Sequence, residues 1–89
     1  MRMAFSVHGK VQGVGFRYYV LEQAGRLGIG GWVRNEFDGT VTGEAFGKPL
    51  PLEEFRQSLE RGPSMAYVTR LDWTPLDEGQ SPPLPFKVR

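Results

Sequence analysis

Three features of the sequence predict an α+β sandwich of order βαββαβ, with one antiparallel sheet carrying two helices on the same face. Apolar residues alternate along two segments, Met3 to Val11 and Ala66 to Thr74. They recur every three or four positions along two others, and a turn-punctuated pair of β-prone runs lies between those two. At 89 residues, 39% hydrophobic and 24% charged, the chain has room for one core, so a single domain spanning residues 1–89 is expected.

In the first strand Met3, Phe5, Val7 and Val11 alternate with Ser6, His8 and Lys10, which assigns His8 to the polar face. Phe16, Val20, Ala24 and Leu27 then form one helical stripe, closed by Arg26 in the last turn and Gly28 as a left-handed stop. Gly31 to Asn35 and Gly39 to Phe46 make a hairpin through Asp38-Gly39. The second helix is expected from Pro51, a residue suited to a first turn, with Glu53 and Glu54 complementing the positive helix end. Its stripe is Leu52, Phe55 and Leu59, and Arg61, Gly62 and Pro63 end it. In the fourth strand, alternation puts Tyr67, Thr69, Leu71 and Trp73 on one face and Val68 on the other. Pro82, Pro83 and Pro85 form a stiff, extended approach to a short terminal strand over residues 86–89, whose pairing the sequence leaves open.

This order is the split arrangement of ferredoxin-like folds. With right-handed crossovers, strands one and two run parallel with strand three between them. The segment after Val11 and the segment at Asn35 then emerge at the same end of the sheet, about 10 Å apart at two strand spacings.

Composition narrows the chemistry. Eleven Lys plus Arg against ten Asp plus Glu give +1, which supplies no general attraction to a nucleic acid or an anionic membrane. The absence of cysteine excludes a disulfide framework, a thiolate metal site and a cysteine nucleophile, and the single His8 excludes a two-histidine metal motif. Neither a metal nor a cofactor is expected. No apolar run approaches a membrane span, and the Met1 end lacks the pattern of a secretory signal, so a cytoplasmic protein is expected.

The segment Gly9-Lys10-Val11-Gln12-Gly13-Val14-Gly15-Phe16-Arg17 joins a strand to a helix. Glycines there let the backbone aim the amides of Gln12, Gly13, Val14, Gly15 and Phe16 at one point, a nest that attracts anions. The helix N-terminus adds partial positive charge, and Arg17 in the first turn offers a planar fork of donors suited to a phosphoryl group. The spacing G-x-x-x-G-x-G is neither the dinucleotide fingerprint nor the P-loop, and the glycines taken alone favour a tight turn beside a solvated arginine. Asn35 reads either as a turn residue capping its own hairpin or as an amide facing the anion site and orienting a water there. Tyr18 and Tyr19 follow Arg17 as candidates for the rim; Trp32 and Trp73 are assigned to the core or its margin.

The run Val7-His8-Gly9-Lys10-Val11-Gln12-Gly13-Val14-Gly15-Phe16-Arg17, with Gly31-Trp32-Val33-Arg34-Asn35 and Asp38-Gly39-Thr40-Val41, resembles the acylphosphatase family. The likeness continues through Phe55, Leu59, Gly62-Pro63, Ala66 and Val68 to Phe86-Lys87-Val88-Arg89. Tyr67, where family members often carry a base, and the Pro-loaded Lys48-Pro49-Leu50-Pro51 depart from the pattern. The resemblance implies a ferredoxin-like fold and hydrolysis of small-molecule acyl phosphates to a carboxylate and inorganic phosphate. It also implies roles: Arg17 and the loop amides bind phosphate, and Asn35 positions the attacking water. A free-standing monomeric enzyme without metal, nucleic-acid partner or membrane attachment is the resulting expectation. Two alternatives share the fold: a non-catalytic phosphate-binding or regulatory module, and an RNA-binding domain, whose basic-Gly-aromatic signature on strand three is missing here.

Overall fold

The computed structural model describes residues 1–77, 79 and 84–89. In chain order the elements are β1 (Arg2–Lys10), α1 (Phe16–Leu27), β2 (Gly30–Asn35), β3 (Val41–Phe46), α2 (Pro49–Arg61), β4 (Tyr67–Pro75) and β5 (Lys87–Val88). They form one five-stranded sheet in the order β4-β1-β3-β2-β5 under two helices. This is the α+β ferredoxin-like arrangement the periodicity predicts. The sheet is mixed rather than wholly antiparallel, because β5 pairs with β2 in parallel, Trp32 opposite Lys87 and Val33 opposite Val88. The approach expected through Pro82 and Pro83 lies outside the described residues. Among those described, no helix is long and apolar enough to cross a membrane.

The core lies between the sheet and the helices. Met3, Phe5 and Val7 of β1, Val33 of β2, and Val41 and Ala45 of β3 face Phe16, Val20 and Ala24 of α1 and Leu52, Phe55 and Leu59 of α2. Phe55 sits at its centre, with ring centroids 5.9 Å from Phe5, 5.9 Å from Phe86 and 6.5 Å from Trp73. Phe86 is the anchor that brings the terminal strand onto the edge of β2, with Arg89 N–H donating to the Val33 carbonyl at 2.8 Å. The opposite face of the sheet is polar. There His8 Nε2 lies 3.0 Å from Asp72 Oδ2, and Trp32 is flanked by the guanidinium carbons of Arg34 and Arg89 at 5.0 and 5.1 Å from its ring centroid.

Two elements differ from expectation for identifiable reasons. On β4, Val68 packs against the core with Leu71 and Trp73, while Tyr67 and Thr69 are exposed. The cause is a β-bulge: His8 pairs with Arg70 but Gly9 with Val68, so Thr69 is an extra residue and the alternation inverts across it. Gly9 makes this possible, since at φ 123° an added Cβ would lie 2.1 Å from the Tyr67 carbonyl oxygen. Helix α2 starts at Pro49 rather than Pro51, with Lys48 as its N-cap, which leaves no acidic residue in the first turn. Glu53 instead takes the Arg56 guanidinium, and Glu54 lies 3.8 Å from Arg26 on α1.

Phe55→Ala removes the ring on which the sheet, α2 and the segment leading into β5 close, and is expected to cost about 3–5 kcal/mol in equilibrium denaturation. The fully exposed Phe37→Ala provides the contrast and should stay within about 0.5 kcal/mol of the parent.

Candidate active site

The chain leaves β1 at Lys10, and Val11, fully buried, fixes the start of the following loop to the core. Gly13 and Gly15 adopt φ values of 72° and 76°, and an added Cβ at either would meet nothing within 4 Å. Glycine is therefore required there by backbone conformation rather than by crowding. Left-handed residues placed among right-handed ones turn successive N–H groups toward a common concavity. Val14 packs its side chain against the core between them, and Phe16, also buried, starts α1.

Helix α1 begins without a capping side chain and without an acid in its first turn. Its first internal bond runs from Tyr19 N–H to the Gly15 carbonyl at 3.0 Å, so the N–H groups of Phe16, Arg17 and Tyr18 precede the helical ladder. The partial positive charge at this end is left for an external anion. Arg17, exposed at the same turn, has no hydrogen-bond or ion-pair partner among the described residues. By contrast Arg2, Arg34, Arg56 and Arg70 are each held by a carboxylate.

Asn35 ends β2 opposite Val41 of β3, and Val41 is also the partner of Val7 on β1. Asn35 is thus level with Val7, two strands away, and the loop after β1 must cross the end of β3 to reach it. Gln12 holds that crossing: its side-chain Nε2 donates to the carbonyls of Glu36 at 2.7 Å and Thr40 at 3.0 Å. The hairpin turn is itself tied, with Glu36 N–H donating to the Thr40 carbonyl at 2.8 Å and Thr40 Oγ1 donating to Asp38 at 2.6 Å. Its two acids are committed to this framework. Hydrogen bonds from Thr42 and then Arg34 hold the Glu36 carboxyl below its ordinary range, and the Thr40 hydroxyl and amide do the same for Asp38.

The result is an open pocket of about 290 Å³ whose walls include Gly13, Gly15, Phe16, Arg17 and Asn35. Of the expected site residues, these five come together. Gln12 and Val14 are in the same loop but do not line the pocket, one reaching to the hairpin and the other into the core. Tyr18 lines the rim, whereas Tyr19 turns inward and donates its hydroxyl to the Ser58 carbonyl at 2.8 Å. Val11 and Val88 complete the lining; Val88 carries no sequence signal beyond membership of a two-residue strand. The arrangement presents one guanidinium, backbone donors and one amide, and no carboxylate. It suits a tetrahedral oxyanion and contains no general acid. A larger hollow of about 780 Å³ at the other end of the sheet, between Met1, Leu27, Phe46 and Pro51, is apolar apart from Lys48 and lacks such a donor array.

The side chain of Gln12 is the feature that loop composition does not announce. Gln12→Ala removes both bonds, although each carbonyl keeps its hairpin partner, so the expected loss is about 1–2 kcal/mol of stability by urea denaturation. Inorganic phosphate should bind less tightly to the variant by titration calorimetry, because the loop is no longer pinned beside Asn35.

A family model described as acylphosphatase matches residues 3–82. The acylphosphatase of Moorella thermoacetica is 48% identical over 68 residues, covering 76% of this chain and 73% of its own length. Acylphosphatase 2 of Ralstonia nicotianae is 41% identical over 91 aligned positions, covering 100% and 93%. The crystal structure of acylphosphatase from Bacillus subtilis superimposes with a TM-score of 0.87 at 33% identity, covering 99% of this chain and 97% of that one. A family match over residues 3–82, joined by these relatives and by the shared fold, establishes that the chain belongs to the acylphosphatase family.

Proposed function

We propose that the protein hydrolyses the carboxyl-phosphate bond of small acyl phosphates, giving a carboxylate and inorganic phosphate. Arg17 and the backbone amides of residues 12–16 bind the phosphoryl group, and Asn35 orients the attacking water. The observation that carries this reading is the unpaired Arg17 guanidinium at an uncapped helix N-terminus, in one pocket with Asn35.

The chemistry asks for little more. The leaving carboxylate has a conjugate acid of pKa about 4, so it departs without protonation and no general acid is needed. Phosphoryl transfer spreads charge over three equatorial oxygens, and fixed donors aimed at those oxygens stabilise that charge without reorganising. As the water oxygen bonds to phosphorus, the bond from phosphorus to the acyl oxygen breaks and the carboxylate leaves with the electron pair. The water proton passes to a phosphate oxygen or to solvent, since the Asn35 amide does not accept it at neutral pH. Asn35 acts by orientation, its amide oxygen accepting from the water.

On this reading the protein acts in the cytoplasm as a monomer, with Arg17, Asn35 and the glycine loop lining one pocket. A nucleic-acid role is disfavoured by the open face of the sheet. The two central strands present Arg2, Ala4, Ser6 and His8 on β1 and Thr42, Glu44 and Phe46 on β3; Arg2 is taken by Glu44 and Phe46 is the one aromatic on these two strands' open face, which is not a stacking platform.

Purified protein is expected to hydrolyse benzoyl phosphate with a chelator present, and inorganic phosphate is expected to compete. Phosphate binding without hydrolysis would leave a binding module in place of an enzyme. Arg17→Ala should cost about 3 kcal/mol in kcat/KM, on the order of 100-fold, by loss of transition-state donors. Near-normal turnover by that variant would reject the mechanism. Asn35→Ala should lower kcat with a smaller change in KM, since its partner is water rather than phosphate; an effect on KM alone would contradict its role.

A further inference from the structure

We infer that Tyr18 and Val88 form the subsite for the acyl half of the substrate and favour uncharged acyl groups with a flat or branched apolar surface. This rests on the hydrolytic reading above and extends it to the part of the substrate that the phosphate cradle does not touch.

The pocket has two kinds of wall. Arg17, Asn35 and the glycine loop supply donors, while Tyr18 and Val88 supply apolar surface at the open side. Tyr18 is the third residue of α1, one position after Arg17, and is 72% exposed. Its hydroxyl has no partner among the described residues, and its ring packs in no aromatic pair, unlike that of neighbouring Tyr19, which meets Phe16 edge-on at 5.9 Å. The ring is therefore spare with respect to the fold. Val88 is 44% exposed and comes from the opposite direction, on β5 beside Val33, two residues before Asn35 on β2. Its position is set by the bond from Arg89 N–H to the Val33 carbonyl and by the buried Phe86 before it.

An acyl phosphate bound with its phosphoryl group on Arg17 and the loop must send its acyl group outward, past these two side chains. A rigid aromatic ring loses little freedom on contact and offers a face to a flat acyl group, and a branched aliphatic residue opposite completes a slot. Among the described residues no cation other than Arg17 lines the pocket, so an acyl group carrying its own carboxylate or phosphate finds no second partner in that lining. Contacts of this kind are the same in the ground state and the transition state, so they act on KM more than on kcat.

The test compares benzoyl phosphate with acetyl phosphate. Tyr18→Ala should lower the ratio of the two kcat/KM values about five-fold relative to the parent, chiefly through a higher KM for benzoyl phosphate, and Tyr18→Phe should keep the parent ratio within about two-fold. Val88→Ser should shift the ratio in the same direction by a smaller factor. An unchanged ratio in Tyr18→Ala overturns the subsite while leaving hydrolysis intact. An equal rise in the inhibition constant of inorganic phosphate overturns it too, because Tyr18 would then serve the phosphate. If the parent cleaves neither compound, the hydrolytic reading falls and the subsite with it.

Discussion

Val41 is the residue on which the functional end of the molecule turns. It pairs with Val7 on one side and Asn35 on the other, which makes β1 and β2 parallel and places their ends on the same side of the sheet. A one-residue slip of the β2–β3 pairing would flip Asn35 to the other face of β2 and send Val33 out of the core, and the same slip between β1 and β3 would expel Val7. The buried faces of all three strands prevent that slip, since Val7, Val33 and Val41 are fully buried. The accuracy of the site is thus inherited from hydrophobic register, and only the last few ångströms are set locally. Those are spanned by Gln12, whose amide ties the glycine loop to the carbonyls of Glu36 and Thr40.

Much of this fold is legible in the sequence because most of its elements bury one face and display the other. Phe16, Val20 and Ala24 mark a helix, and Met3, Phe5 and Val7 a strand, without reference to anything distant. The features that escape are those that arise only on pairing. The bulge at Thr69 exists because β4 meets β1 at Gly9, where carbonyl and glycine come too close for a side chain. Nothing within β4 itself announces it. The parallel placement of β5 depends on Phe86 finding Phe55, a contact between distant parts of the chain, and two residues of strand have no periodicity to read. At the start of α2 either proline satisfies the local rule for a first turn, so local chemistry does not choose between Pro49 and Pro51.

The site divides along the same line. Glycines at 13 and 15 and an arginine at 17 are readable, since left-handed backbone imposes the glycines directly and a guanidinium is the side chain a proposed phosphoryl partner calls for. The contribution of the Gln12 side chain is not, because glutamine in a loop has many uses and its partners lie 24 and 28 residues further on. Val88 is hidden for a different reason: its role depends on where β5 docks, which the sequence leaves open. Tyr18 and Tyr19 cannot be told apart by composition. On α1 they project about 100° from one another, so one reaches Ser58 in the helix-packing layer while the other is left at the pocket mouth.

The near-zero net charge of the chain does not argue against an anion site, because what matters is which charges are already paired. The hairpin carboxylates that follow Asn35, Glu36 and Asp38, are held below their ordinary range by Thr42 and Arg34 and by Thr40 respectively. Each has its own donors, so neither draws Arg17 out of the pocket. Arg34 also lies over Trp32 on the opposite face of the sheet, away from the loop. Arg17 and the positive end of α1 reinforce each other within one helical turn. At physiological ionic strength charges beyond about 8 Å are largely screened, so an arriving phosphate senses this local excess and not the overall balance of +1. A helix start without a capping side chain or an acid is a weak point in an isolated domain, worth about 1 kcal/mol of lost stability. On the proposed mechanism a bound anion does the capping, so the same groups that leave the free helix end incomplete are those assigned to the substrate.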